Sequence, residues 1–186
     1  MELASLTAMT ATERVDPPLR GGEADTLLGF LDYHRDTLRM KVDGLSQAQL
    51  AQTLPPSTMT LGGLVKHLAL VENWWFSMVL MGNEDVDPWA PVDWDADPDW
   101  EWHTAKDDSP EELRGLFDQA VATSDGYISQ ALADGGMDAL GVRPSRREGE
   151  GQFSLRWIVA HMIEEYARHN GHADLLRESV DGVTGE

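Results

Sequence analysis

"SLRWIVAHMIEEYARHNGHADLLRE", residues 154–178, decides the fold. Leu155, Ile158, Met162, Glu165, His169, His172 and Leu176 recur at steps of three and four, the spacing that lines one face of an α-helix. The leucines, isoleucine and methionine belong in a core. A carboxylate and two imidazoles stand among them, where further apolar residues are the norm. Asn170–Gly171 is the pair that could end the helix, because glycine there costs roughly 1 kcal/mol relative to alanine. The apolar phase resumes in register at Leu176, so the spacing predicts one continuous helix over 154–180. Gly171 would then permit close approach of a neighbouring backbone or ligand.

Three more segments carry the same periodicity. Residues 23–43 place Leu27, Leu31, His34, Leu38 and Val42 at helical spacing, and Pro55–Pro56 interrupt the chain after them. "TLGGLVKHLALVENWWFSMVLMG" (60–82) opens on Thr60 as a cap and carries Leu61, Leu64, Leu68, Val71, Trp75 and Met78. Residues 109–134 begin with Ser109, Pro110 and Glu112, a capping box, and Gly135–Gly136 marks the stop. No strand alternation and no internal repeat is evident. The expected fold is all-α, a four-helix bundle over residues 23–181, after a polar lead-in (1–22) and before a short tail (182–186). Between the second and third helices, residues 83–108 form a long loop with Trp89, Trp94, Trp100 and Trp102 among aspartates and prolines. Those rings either pad the flank of the bundle or wall a pocket.

Composition narrows the function. The chain has 186 residues, enough for one domain with a sizeable core, and 14 basic against 33 acidic residues, a net charge of −19. Such a field repels nucleic acid and anionic membrane surfaces. There is no cysteine, so thiol chemistry requires an external thiol. The N-terminus lacks a signal-peptide pattern and no run nears the roughly 20 apolar residues of a membrane span, so a cytoplasmic protein is expected.

Glu165 and His169 lie about 40° apart on a helix and both fall within the apolar stripe. A buried carboxylate must be paired, protonated or bound to a cation. His67, at the edge of the second helix's stripe, is the best third partner. Two imidazoles and a carboxylate suit a divalent transition metal with positions left open for water or substrate. The bland alternative is two satisfied core histidines hydrogen-bonded to Glu165. His172, one turn beyond His169, is a ligand, a supporting group or a catalytic substrate contact. His161, His34 and His103 are more commonly structural or solvated. Arg168, Arg146, Arg147 and Lys66 are candidate anchors for substrate carboxylates, and Arg168 with Trp100 are the candidate contacts to a bound co-substrate.

"TLGGLVKHLALVENWWF" together with the 154–178 segment resembles the DinB-like superfamily, closest to the branch of mini-circle proteins, over residues 23–181. The resemblance implies a DinB/YfiT-like four-helix bundle with a metal between the second and fourth helices. Most members use a histidine on the second helix and His-x-x-x-His on the fourth; here the matches are His67, Glu165 and His169. The similar mycothiol-dependent maleylpyruvate isomerases bind zinc through His, Glu and His, which the departure at Glu165 matches. They carry a further C-terminal domain, so a reaction other than maleylpyruvate isomerisation is expected. The resemblance implies Zn2+ (Ni2+ or Fe2+ as alternatives), mycothiol as co-substrate, a small-molecule substrate and a homodimer. The leading expectation is a metal-dependent, thiol-activating S-transferase or isomerase. A metal hydrolase and a non-catalytic, stress-associated metal-binding bundle are the alternatives.

Overall fold

The computed structural model describes residues 14–185, which are mostly helical with one small antiparallel sheet. In chain order come α1 (Glu23–Val42), the single turn α2 (Gln47–Leu50), α3 (Leu61–Glu72) continued by a π-helical stretch (Asn73–Leu80), the short α4 (Trp100–Thr104) with a 3-10 turn (Ala105–Asp107), α5 (Pro110–Gly135), strands β1 (Leu140–Pro144) and β2 (Gln152–Ser154), and α6 (Leu155–Asp181). Among the described residues no helix is long and apolar enough to cross a membrane.

Local chemistry accounts for the helix ends. Thr60 Oγ1 accepts from Gly63 N at 3.0 Å at the start of α3. Ser109 and Glu112 close their capping box in both directions, and the two hydrogen bonds from Ser109 hold the Glu112 carboxyl below its usual range. Ser154 Oγ caps α6 through Trp157 N, and Gly182 ends it with φ +78°. α6 runs unbroken through Asn170–Gly171. The expected close approach at Gly171 is not found: a Cβ there would meet nothing within 4 Å.

The second helical segment departs from its expected phase. A stripe at steps of three and four would bury Val71 and Trp75, yet both are half-buried. The line that is buried runs Leu64, Leu68, Glu72, Phe76 and Leu80. That line is set by Glu72 before the π turns begin; the wider turns over Asn73–Leu80 continue it through Phe76 and Leu80 at steps of four and leave Trp75 in the groove between this segment and α6. In α1, Arg35 is buried and His34 only half-buried, again displaced by one residue from the expected face.

α1 packs along α6, and α3 packs against α5 and α6, around one core that includes Leu31, Leu64, Phe76, Phe117, Ile158 and Met162. Into it the chain places an ion pair. Arg35 Nε and Nη2 donate to Glu72 Oε1 and Oε2, each at 2.7 Å, and Tyr166 Oη donates to Glu72 Oε1 at 2.7 Å. Arg35 Nη1 reaches Asp125 at 2.9 Å and Asp32 at 3.0 Å, so the network ties α1, α3, α5 and α6. Burial first, then the neighbouring Glu72 charge, holds the Tyr166 proton well above the usual phenol range.

The β1–β2 hairpin is an element the sequence did not announce. Its strands are short, their register is irregular between Leu140 and Pro144, and the inward residue of β1 is Gly141. A Cβ at Gly141 would lie 2.8 Å from Val79 O, so the position that alternation would make apolar admits only glycine. Gly141→Ala should therefore cost about 1–3 kcal/mol, as overpacking against an unyielding backbone does. Urea denaturation checks this, and an unchanged midpoint would show that the hairpin is free to shift.

Candidate functional site

His67 on α3 and Glu165 and His169 on α6 bring one ligand-capable atom each to within 4.8 Å of one another. The contact of α3 with α6 makes this meeting, since Glu165 and His169 are one turn apart on α6 and His67 faces them from α3. The His67 and His169 rings are 5.1 Å apart, and His169 Nε2 lies 3.5 Å from Glu165 Oε2. The side chains of His67, Glu165 and His169 are 21, 25 and 9 % exposed, so the cluster opens to solvent on one side. Burial, then the nearby His67 and His172, push the His169 pKa down to about 4, which leaves a neutral imidazole with a lone pair to give.

A core-histidine arrangement would join Glu165 to the imidazoles by hydrogen bonds. Contacts of 3.5 Å to His169 Nε2 and to His161 Nε2 are long for that, and no hydrogen bond links Glu165 to either ring among the described residues.

The tryptophan segment supplies support that spacing did not reveal. α4 delivers Glu101, a buried carboxylate whose Oε1 lies 3.0 Å from His67 Nδ1 and whose Oε2 has no hydrogen-bond partner. The neighbouring Trp102 ring stacks on His67 at 4.5 Å and 24°. Glu101 and Glu165 thus flank two imidazoles without a Lys or Arg partner among the described residues. Their negative charge is what a divalent cation would balance. Nothing in the sequence ties residue 101 to residue 67, and an acidic residue between two tryptophans was the only available signal.

The other candidates fall into place unevenly. His172 Nδ1 lies 3.4 Å from His169 Nδ1, on the nitrogen opposite the one facing Glu165. Arg168 is exposed and bound to Glu164, turned to solvent by its i,i−4 partner. Trp100 packs with Trp89 and Trp94 and lies under Lys66 Nζ at 4.4 Å; the ring at His67 is that of Trp102. Lys66 is buried and committed to Asp108 at 2.6 Å and Thr104 at 3.0 Å. His161 lies between Trp75 and Trp157, beside Glu165. The His34 backbone oxygen accepts from Asn170 at 2.9 Å, and burial lowers the pKa of its half-buried ring. His103 is exposed and paired with Asp97 at 2.8 Å. Arg147 pairs with Glu150, whereas the Arg146 guanidinium sits 5.5 Å from the Trp74 ring centre. The two readings of the tryptophan run divide by residue: Trp89 and Trp100 pad the flank, and Trp102 walls the site.

Residues 26–182 match the model of the family described as Mycothiol-S-transferase, within the DinB-like superfamily. A search of curated proteins finds no match.

Proposed function

The chain belongs to the mycothiol-S-transferase family, and we propose that it is a zinc-dependent S-transferase joining a mycothiol-type thiol to a small electrophile. In this reading the four long helices form a DinB/YfiT-like bundle of the mini-circle branch, working in the cytoplasm. The observation that carries it is the pair of carboxylates, Glu165 and Glu101, set around two imidazoles with no Lys or Arg partner among the described residues.

His67, Glu165 and His169 would hold the ion. A zinc ion there supplies the Lewis acidity that lets a thiol lose its proton near neutral pH, in a chain with no cysteine of its own. Glu101 accepts from His67 Nδ1–H, which leaves the lone pair on Nε2 and sets the ring plane. Trp102 stacks on that ring and keeps water from its face. The thiol proton would leave to solvent while the sulfur forms its bond to the electrophilic carbon and the leaving group departs with the bonding pair, and His172 would accept from His169 Nδ1–H and so hold that ring in place. Zinc-loaded protein should convert mycothiol and an aryl chloride to the thioether and chloride, saturably in thiol. Chelation should stop it. Turnover without thiol would assign a hydrolase, and no turnover with stoichiometric zinc would leave a metal-binding protein only.

Two further expectations belong to this reading. Glu101→Gln should weaken zinc about 10- to 100-fold, the usual cost of losing a ligand's hydrogen-bonded carboxylate. Competition with a chromophoric chelator measures it, and unchanged affinity would reduce Glu101 to packing. The protein should also be a homodimer, on the ground of exposed apolar side chains such as Phe30 and Leu175; sedimentation at about 10 µM that shows only monomer would count against it.

A further inference from the structure

Arg143 and Arg146 line one cleft in a chain with 33 acidic residues, and neither has a carboxylate partner among the described residues. Their neighbours do: Arg147 pairs with Glu150, and Arg156 pairs with Glu23 and Asp138. Arg143 instead donates to the Asn83 backbone oxygen at 2.6 Å, and Arg146 lies over the Trp74 ring. Both line a cleft of about 470 Å³, walled by Trp74, Trp75, Phe153 and Pro144 and built where the hairpin crosses the π-helical stretch. That volume suits a small molecule.

The cleft's aromatic wall continues to the donor cluster. Phe153 and Trp157 rings are 4.5 Å apart, Trp75 is 5.3 Å from Trp157 and 4.7 Å from His161, and His161 Nε2 is 3.5 Å from Glu165 Oε1. Trp157 is 46 % exposed along this track. From Trp157 to Glu165 the helix rises about 12 Å. One end of the track therefore offers unneutralised guanidinium and the other end the three ligand-capable side chains.

We infer that this cleft binds the electrophilic substrate, and that the substrate is an elongated, planar aromatic or conjugated carboxylate, its anionic end at Arg146 and its reactive end toward Glu165. This rests on the transferase reading, of which it names the second substrate. The rings supply stacking faces for a flat molecule, and a guanidinium over Trp74 keeps its in-plane N–H groups free for a carboxylate. The net charge of −19 disfavours anions over the surface as a whole, so two arginines at one cleft with no carboxylate partner among the described residues attract them locally.

Biphenyl-4-carboxylate and its neutral analogue biphenyl-4-carboxamide serve as probes, titrated into the full chain with and without zinc and followed by tryptophan fluorescence. The carboxylate should bind more tightly than the carboxamide. Arg146→Ala should weaken the carboxylate about tenfold or more and the carboxamide less than about twofold, with zinc affinity unchanged. Trp157→Ala, at an exposed ring, should weaken both probes. Equal carboxylate affinity in Arg146→Ala and the parent overturns the inference. So does a zinc-binding parent that takes up neither probe, including the case where Trp157→Glu turns a dimer into a monomer and the face proves to be a self-interface. Arg146-dependent carboxylate binding in a protein that fails to bind zinc would overturn the metal reading and leave the cleft standing.

Discussion

His67→Ala should abolish stoichiometric zinc binding while the helical content persists. His67 is the sole donor of the three that α3 contributes, and without it only an i,i+4 pair on α6 remains, which is half of a tetrahedral shell. The loss should exceed the about 100-fold that removal of a supporting partner costs. The fold should survive because His67 sits at the rim of the packing, while Leu64 and Leu68 on the same helix are fully buried. Glu165→Gln and His169→Ala should lose the metal as well. His172→Ala should keep it, because its contact is to the far nitrogen of His169, and should weaken turnover by freeing that ring. Metal analysis of chelator-free protein together with far-ultraviolet circular dichroism separates these outcomes. A His67→Ala protein that retains one zinc per chain would sink the triad and promote His172 to ligand.

Glu72→Ala should cost about 3–5 kcal/mol of folding stability, a large part of the roughly 5–15 kcal/mol a domain has. The reason is the charge left behind. Arg35 is 1 % exposed, and burial would strip its charge of stabilisation were it not for Glu72, which more than offsets the penalty and holds the guanidinium proton well above its usual range. Tyr166 would lose its acceptor in the same step. Replacing both charges, as Arg35→Met with Glu72→Leu, should cost less, because no buried charge is stranded and only the Tyr166 hydroxyl is left without its acceptor. Urea melts of the single and double variants provide the measurement. A Glu72→Ala midpoint within experimental error of the parent would show that water reaches Arg35.

Spacing within a few turns predicts α6 as one helix, continuous past Asn170–Gly171 and interrupted by Glu165, His169 and His172. The stripe is displaced in part: Tyr166 and Ala173 are buried, whereas Glu165 and His172 are only half-buried at its edge. The capping box at Ser109–Glu112 was equally visible, being four residues long. The hairpin was not, because its inward residue is a glycine held against Val79 O, and no apolar alternation marks it. Trp75 was assigned to the core on steps of three and four, whereas the buried line keeps steps of four through Glu72, Phe76 and Leu80.

The division follows the range of the forces. Helix spacing and caps are properties of neighbouring residues, and by themselves they determined four long helices and the Glu165–His169 pair; composition alone determined that the chain has no thiol of its own. Tertiary structure decided everything that depends on partners far apart in the chain. Glu101 reaches His67 across 34 residues, and Arg35 meets Glu72 across 37. Neither pair has a periodicity to betray it, since a buried charge is tolerated only once its opposite arrives in space. The same holds for Arg143 and Arg146, whose lack of a carboxylate partner among the described residues is a fact of packing, written nowhere in the order of the residues.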